Sequence, residues 1–311
     1  MVTPVFKIEA NGEDITEALL KNSAVISFSD EDGFAADELR LEVFGEFKRP
    51  EYKDELKLWL GYKESGIYYC GLFSVQSSAK KRGGMTVTAT GADFTGELKK
   101  KRNRSFENMS IAAIVQEIAG SYGLGIKCDF DDLYLQHTAQ TNESDLNLLN
   151  RLAKDYNAIF SIKNNTLVFK KRIKGETRAD DLPLFEVEES ECERWEIKHS
   201  NRTMYRSCRA IWHDTKENKI KKIVSGAGKP ELVLKGSFRT EAEAKSKADA
   251  KLQTANRGTV TGNITIRGQD IRAGGVLKLN GFGSDDGEYT IKSVLHTLDE
   301  TGYKVLVEFE N

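Results

Sequence analysis

The sequence predicts a mainly β chain with an α+β unit inserted in its middle, and three patterns lead to that class. Apolar and polar side chains alternate through residues 1–97, the period of half-buried strands. After Leu98 the spacing changes to that of amphipathic helices. From Glu193 onward the alternation returns, broken by a single helical stretch.

In the first third, Leu39, Leu41 and Val43 recur at every second residue, as do Leu56, Leu58 and Leu60, so each set shares one face of a pleated strand. Similar segments run over residues 5–10, 24–28, 68–76 and 85–89. Asn11-Gly12, Asp32-Gly33 and Gly83-Gly84 supply the positive φ that tight connections need. Six short strands at this spacing predict a small antiparallel barrel or sandwich for residues 1–97.

Residues 98–173 read as a small α+β unit. Ile111, Ile114, Val115, Ile118 and Tyr122 form one helical stripe, with Ser110 as N-cap and Gly123 or Gly125 as its stop. Leu146, Leu149, Leu152, Ala153 and Tyr156 form a second, led in by Asn142 and Ser144, and a hairpin across Asn164-Asn165 follows. The basic run that opens the unit, Lys99 to Arg104, reads as a solvated connector, because no aromatic residues interleave it to make a nucleic-acid surface. Residues 174–192 are polar, contain Asp180-Asp181-Leu182-Pro183 and suit a linker. Residues 193–311 form a second β domain with strands at 193–199, 205–214, 219–224, 259–266, 276–279, 288–298 and 304–309. Its one helix, residues 240–255, begins at the capping box Thr240-Glu241-Ala242-Glu243.

At 311 residues the chain exceeds one comfortable core, so two or three domains are expected. Lys and Arg number 46 against 48 Asp and Glu, which leaves no global field to attract nucleic acid or an anionic membrane. No basic-then-apolar leader pattern and no apolar run of bilayer length occurs, so the chain is expected to stay in the cytoplasm in which it is made. Cys70, Cys128, Cys192 and Cys208 contain no C-x-x-C pair and read as reduced, buried thiols.

Candidate chemistry is sparse. His137, His199, His213 and His296 lie in different elements, none in metal-ligand spacing. A base at His213 oriented by Asp214 is disfavoured, since adjacent strand residues face opposite ways. Asp129 to Asp132 and Asp285 to Glu288 lack the register of a calcium loop, and Gly226 to Lys229 lacks that of a phosphate loop and reads as a connection between strands. No catalytic, cofactor-binding or metal residue is nominated. Trp59, Trp195 and Trp212 suit a barrel interior or a subunit interface. Trp59 is the interface candidate, because Leu58 and Leu60 take the core parity and turn it to the other face.

With those residues laid out, the chain resembles the phage late control protein D family of tail baseplate hub proteins, related to the hub portion of VgrG and other contractile-injection-system proteins. The resemblance rests on serial agreement: Pro4-Val5-Phe6, Asn11-Gly12-Glu13-Asp14, Leu60-Gly61-Tyr62, Gly71-Leu72-Phe73, Gly91-Ala92-Asp93-Phe94 and Lys101-Arg102-Asn103-Arg104. It continues through Tyr122-Gly123-Leu124, Glu143-Ser144-Asp145-Leu146, Ala210-Ile211-Trp212-His213-Asp214, Ala273-Gly274-Gly275-Val276 and Gly287-Glu288-Tyr289. It implies two antiparallel β-barrel domains of the phage tail hub type flanking the inserted α+β domain. It also implies a homotrimer whose six barrels match the hexameric tail tube protein at one end and hold a trimeric tail spike protein at the other. The spike is then a separate polypeptide, since nothing after Phe309 resembles one. Tape-measure and baseplate wedge proteins are further candidate partners, with no membrane and no specific nucleic acid among them. The expected role is structural, without enzymatic activity or cofactor, in the host bacterial cytoplasm during assembly and then in the virion tail baseplate. The rivals are a tail-associated cell-wall hydrolase and a carbohydrate-binding module. No pair of catalytic carboxylates or nucleophile motif supports the first, and the tryptophans alone support the second.

Overall fold

The computed structural model describes residues 2–32, 36–91, 98–163, 166–171, 183–200, 204–214, 217–236, 238 and 240–311. The first third contains β1 (Pro4–Ala10), β2 (Glu13–Asp14), α1 (Thr16–Lys21), β3 (Val25–Glu31), β4 (Glu38–Phe44), β5 (Glu55–Tyr62), β6 (Gly66–Lys81) and β7 (Gly84–Thr90). All six expected strands are present; β2 and the short helix α1 are additional. Alternation does bury one face, with Leu39, Leu41, Val43, Leu56, Leu58 and Leu60 inside. β6 is bulged between Val75 and Ser77, and its first half pairs with β5 and its second with β7. Asn11 and Gly12 hold φ of 49° and 87°, and Gly83 holds 85°, as the turn chemistry requires.

The insertion contains β8 (Lys101–Ser110), α2 (Ile111–Ser121), β9 (Gly125–Cys128), β10 (Tyr134–Ser144), α3 (Asp145–Asp155), β11 (Ala158–Lys163) and β12 (Thr166–Lys171). Ser110 and Ser144 cap the two helices, their hydroxyls accepting from the amides of Ala113 and Asn147 at 3.1 and 3.2 Å. Gly123, at φ 64°, follows the end of α2. Both predicted stripes face one core that includes Ile114, Ile118, Leu149 and Leu152. The basic run is not a connector throughout: Lys101 to Arg104 begin β8, which pairs with β10. The hairpin tip Asn164-Asn165 and residues 92–97 lie outside the described residues.

The last third contains β13 (Leu184–Glu188), a one-turn 3-10 helix (Glu189–Glu191), β14 (Cys192–His199), β15 (Ser207–Asp214), β16 (Lys219–Gly226), β17 (Glu231–Lys235), α4 (Glu241–Asn256), β18 (Val260–Arg267), β19 (Val276–Asn280), β20 (Gly287–Asp299) and β21 (Gly302–Glu310). Part of the stretch read as linker is therefore ordered: β13 pairs in parallel with β19, while residues 172–182 lie outside the description. β15, β16 and β17 form a separate sheet that packs on α4 around Cys208, Ala210, Trp212, Ala244 and Ala248.

The outer thirds do not stand apart. Residues 287–290 of β20 pair with β19, residues 293–298 pair with β3, and the other edge of the strand pairs with β21 along its length. The result is one 13-stranded sheet with a single core drawn from both thirds, including Ile8, Phe28, Phe73, Ile264, Val294 and Val307. Among the described residues its ladders trace an open path from β14 to β2 rather than two closed rings. Periodicity gives the parity of β20 but is blind to which strand lies beside it.

α4 begins as its sequence predicts, with Thr240 Oγ1 accepting from the Glu243 amide at 3.1 Å. Thr240→Ala removes that acceptor and is expected to cost about 0.5–2 kcal/mol in urea unfolding. Faster hydrogen exchange should appear in the first turn of α4, and an unchanged midpoint would contradict the cap.

Candidate assembly surfaces and the seam that positions them

Among the described residues no cluster of three or more His, Cys, Asp or Glu could hold a metal ion. His137 pairs with Glu107 and His199 with Asp285, each at 2.6 Å, and His213 Nε2 lies 3.1 Å from Asn218 Oδ1. The carboxylates of the two acidic stretches have protein partners: Asp132 accepts from Lys171 across 39 residues at 3.2 Å, and Asp286 accepts from the Phe282 amide at 2.7 Å in a local turn. Gly226 to Lys229 connects β16 to β17, as expected. All four cysteines are free; Cys70 and Cys208 are buried, Cys128 and Cys192 half-buried. Burial raises every thiol, that of Cys70 to about 12, so none is poised as a thiolate nucleophile.

The strongest polar constellation lies at the β3–β20 seam. His296 occupies a core position of β20 between Val294 and Leu298, is fully buried, and stacks on Phe28 with ring centroids 5.3 Å apart. Its Nδ1 lies 2.8 Å from the Tyr303 hydroxyl, which in turn bonds the Tyr68 hydroxyl, and Tyr68 donates to the Gln269 carbonyl at 3.2 Å. Nearby, Asp30 Oδ2 accepts from the Ala273 amide at 3.0 Å, while Arg272 donates to the carbonyls of Tyr69 and Cys70. Strands β3, β6, β20 and β21 and the 269–273 loop thus converge on one hydrogen-bonded knot. Burial lowers the His296 pKa to about 4; the Asp30 carboxylate opposes that shift without cancelling it, and the Arg272 cation adds to it. The ring is neutral at pH 7.

A second knot fixes the insertion. Asp145 opens α3 fully buried, and its carboxylate accepts from Arg104 at 2.6 Å, Gln140 at 2.7 Å and the Tyr122 hydroxyl at 2.6 Å, with Arg102 at 3.4 Å. The start of a helix is also where its dipole favours an anion. Burial, then the Asp145 carboxylate, push the Tyr122 hydroxyl up to about 12. The insertion meets the last third through Asn157, which bonds Gln253 and Arg257, and through Lys247, whose ammonium lies 5.4 Å from the Tyr156 ring centre. A separate cleft of about 390 Å³ lies where the insertion meets the seam, with Asp30, Asp37 and Arg272 on one side and Lys127, Ser161 and Lys170 on the other.

Trp59 takes the parity its neighbours imply, turned away from the core and half-buried. Tyr69 lies 5.2 Å from it between ring centres, and Lys7 Nζ sits 4.9 Å above its ring. Trp212 is core, whereas Trp195 is 44% exposed on β14, with its indole nitrogen bonded to Glu189. Neither knot was nominated from sequence. A signal did exist in the alternation: Asp30 follows Ile26 and Phe28 on the buried parity of β3, and His296 interrupts Val294 and Leu298.

Two measurements test the knots. Asp145→Ala strands two arginines; because Arg102 and Arg104 remain 34% and 23% exposed, the cost should fall near the low end for a broken buried pair, about 3 kcal/mol by chemical unfolding. A loss under half that would mean solvent already screens the pair. For His296 the folded pKa lies below the unfolded value, so the unfolded chain binds more protons between pH 6.5 and 4. Stability is complete above that window and falls through it on acidification, by about 3 kcal/mol from this group. His296→Gln should flatten that part of the profile, and a slope equal to wild type would remove His296 as its source.

Comparison with known proteins agrees with this architecture. A family model described as phage tail baseplate hub (GPD) matches residues 57–302. A probable baseplate hub protein of Escherichia phage 186 is 25% identical over 99% of this chain and 93% of its own length. The fold is shared with the 43 kDa tail protein of prophage MuSo2 from Shewanella oneidensis, with a TM-score of 0.70, 15% identity, and 99% and 98% of the two chains covered. It is shared also with a tail protein from Neisseria meningitidis MC58, with a TM-score of 0.72, 12% identity, and 99% and 97% covered. With more than three quarters of its length matched in order by the family model, the chain belongs to the phage tail baseplate hub (GPD) family.

Proposed function

We propose that this chain is the structural hub of a contractile phage tail or phage-like baseplate, a trimeric adapter between a hexameric tail tube and a trimeric spike. The observation that carries the reading is the seam. β20 locks two β-rich thirds into one body while leaving strand edges at β14 and β2. Open edges are templates for further pairing, and three such bodies joined head to tail give cyclic closure. Residues 1–97 and 193–311 then act as two tube-matching domains per chain, six per ring. The insertion, residues 98–173, projects outward or toward the spike. Trp59, with Tyr69 and the 41% exposed Ile67, belongs to a contact surface on the outer face of β5 and β6. Assembly takes place in the host cytoplasm, with the tube and spike proteins as partners.

No enzymatic role is part of this reading, because membership in a family of baseplate hubs accounts for the fold without one. Trp59 lies under Lys7, and Trp195 is tied to Glu189 and meets Phe282 edge-on, so neither forms an open platform for a sugar.

Sedimentation of the purified chain at micromolar concentration, alone and with the spike protein of the same tail, tests the proposal. A mass of three chains is expected in at least the mixture, with interfaces burying about 2,000 Å² or more. Monomers in both samples would contradict it.

A further inference from the structure

The sheet of β15, β16 and β17 has two unlike faces. Its inner face is covered by α4, but on the other Ile220 is 69% exposed, Val224 47% and Val233 46%. The ladder sets Arg209 between Val224 and Val233, and Ile211 between Lys222 and Lys235, so apolar and cationic side chains alternate across all three strands. Arg209 is held by Glu231 at 3.0 Å, while Lys222 and Lys235 stand exposed on this face. Single exposed aliphatics are ordinary, but three on one registered face form a patch. Its charge suits an acidic surface bearing an aliphatic anchor.

The chain carries such a surface at the opposite end of the sheet path. β14, which leads into β15, is one terminus of that path and β2 is the other. At β2 and α1, Glu13, Asp14 and Glu17 are exposed, and no basic residue intervenes between Glu9 and Leu20. Leu20 itself is 61% exposed. Lys21 approaches Glu17 only to 3.9 Å, with both side chains mostly in solvent, a weak competitor for that carboxylate.

We propose that the bare face of the β15–β17 sheet receives the β2–α1 corner of a second copy of this chain. Leu20 sits among Ile220, Val224 and Val233, and Glu13, Asp14 and Glu17 face Lys222 and Lys235. The contact is heterologous, so it repeats head to tail, and a turn of one third between copies closes it in the three-membered ring proposed above. It rests on the trimer reading above and adds to it the surfaces that set the direction of the ring.

The test uses the full chain, alone and with the spike protein of the same tail. Equal parts of ¹⁵N-labelled and unlabelled chain are folded together and treated with a carbodiimide, which joins carboxylates to adjacent amines. Mass spectrometry should find links between labelled and unlabelled chains that connect Glu13, Asp14 or Glu17 to Lys222 or Lys235. Lys222→Glu with Lys235→Glu, or Glu13→Lys with Glu17→Lys, should weaken association about tenfold or more, and the four changes together should restore it. Unaltered thermal melts will show that the variants fold. A trimer indifferent to either reversal, or linked only elsewhere, overturns this contact and leaves the trimer reading standing. A chain that is monomeric in every mixture overturns both.

Discussion

The rest of the structure depends on the antiparallel pairing of β3 with β20. Six registered pairs, Ile26 with Leu298 through Glu31 with Ser293, join segments some 270 residues apart and turn two modest β units into one sheet with one core. Without that ladder each third would leave an apolar face and a strand edge in water, a cost comparable with the whole stability of a domain. Once made, it fixes where the remaining strand edges of the sheet, at β14, β2 and β13, lie.

The seam is specified by polar groups as well as by apolar area. Burial of one face forbids a one-residue slip, which would turn every apolar side chain to the other side, but a slip of two residues keeps the parity. Here His296, Tyr303 and Tyr68 form a chain of hydrogen bonds that closes only in one alignment, and Asp30 meets the Ala273 amide from the facing strand. A slip of two residues would keep these groups buried without their partners, which is costlier than losing a hydrogen bond in water. The Asp145 knot plays the same part in the insertion, where one carboxylate gathers β8, β10, α2 and α3.

Much of this was legible in the sequence, and what was not has a physical reason. Strand parity, both serine caps, the Thr240 cap and the off-core setting of Trp59 depend on residues near one another in the chain, and each appears where its pattern implies. The short α1 and β9 carry too few residues for a period to show. Lys101 to Arg104 read as solvated because a charge run gives no hint that Asp145, some 40 residues away, lies buried among its arginines. The continuity of the sheet is the largest difference, since pairing across the whole chain leaves no local trace. Polar residues on a buried parity, Asp30 and His296, were the available clue to it.

Native-state hydrogen exchange addresses the central claim most directly, because it reports whether the two thirds open as one unit. Amides of β3 and of residues 293–298 in β20 are predicted to exchange only through the same global opening as β4 and β21, with a common denaturant dependence. Exchange of β20 through a separate, lower-energy opening that leaves β3 and β4 protected would show two independent domains and contradict this account.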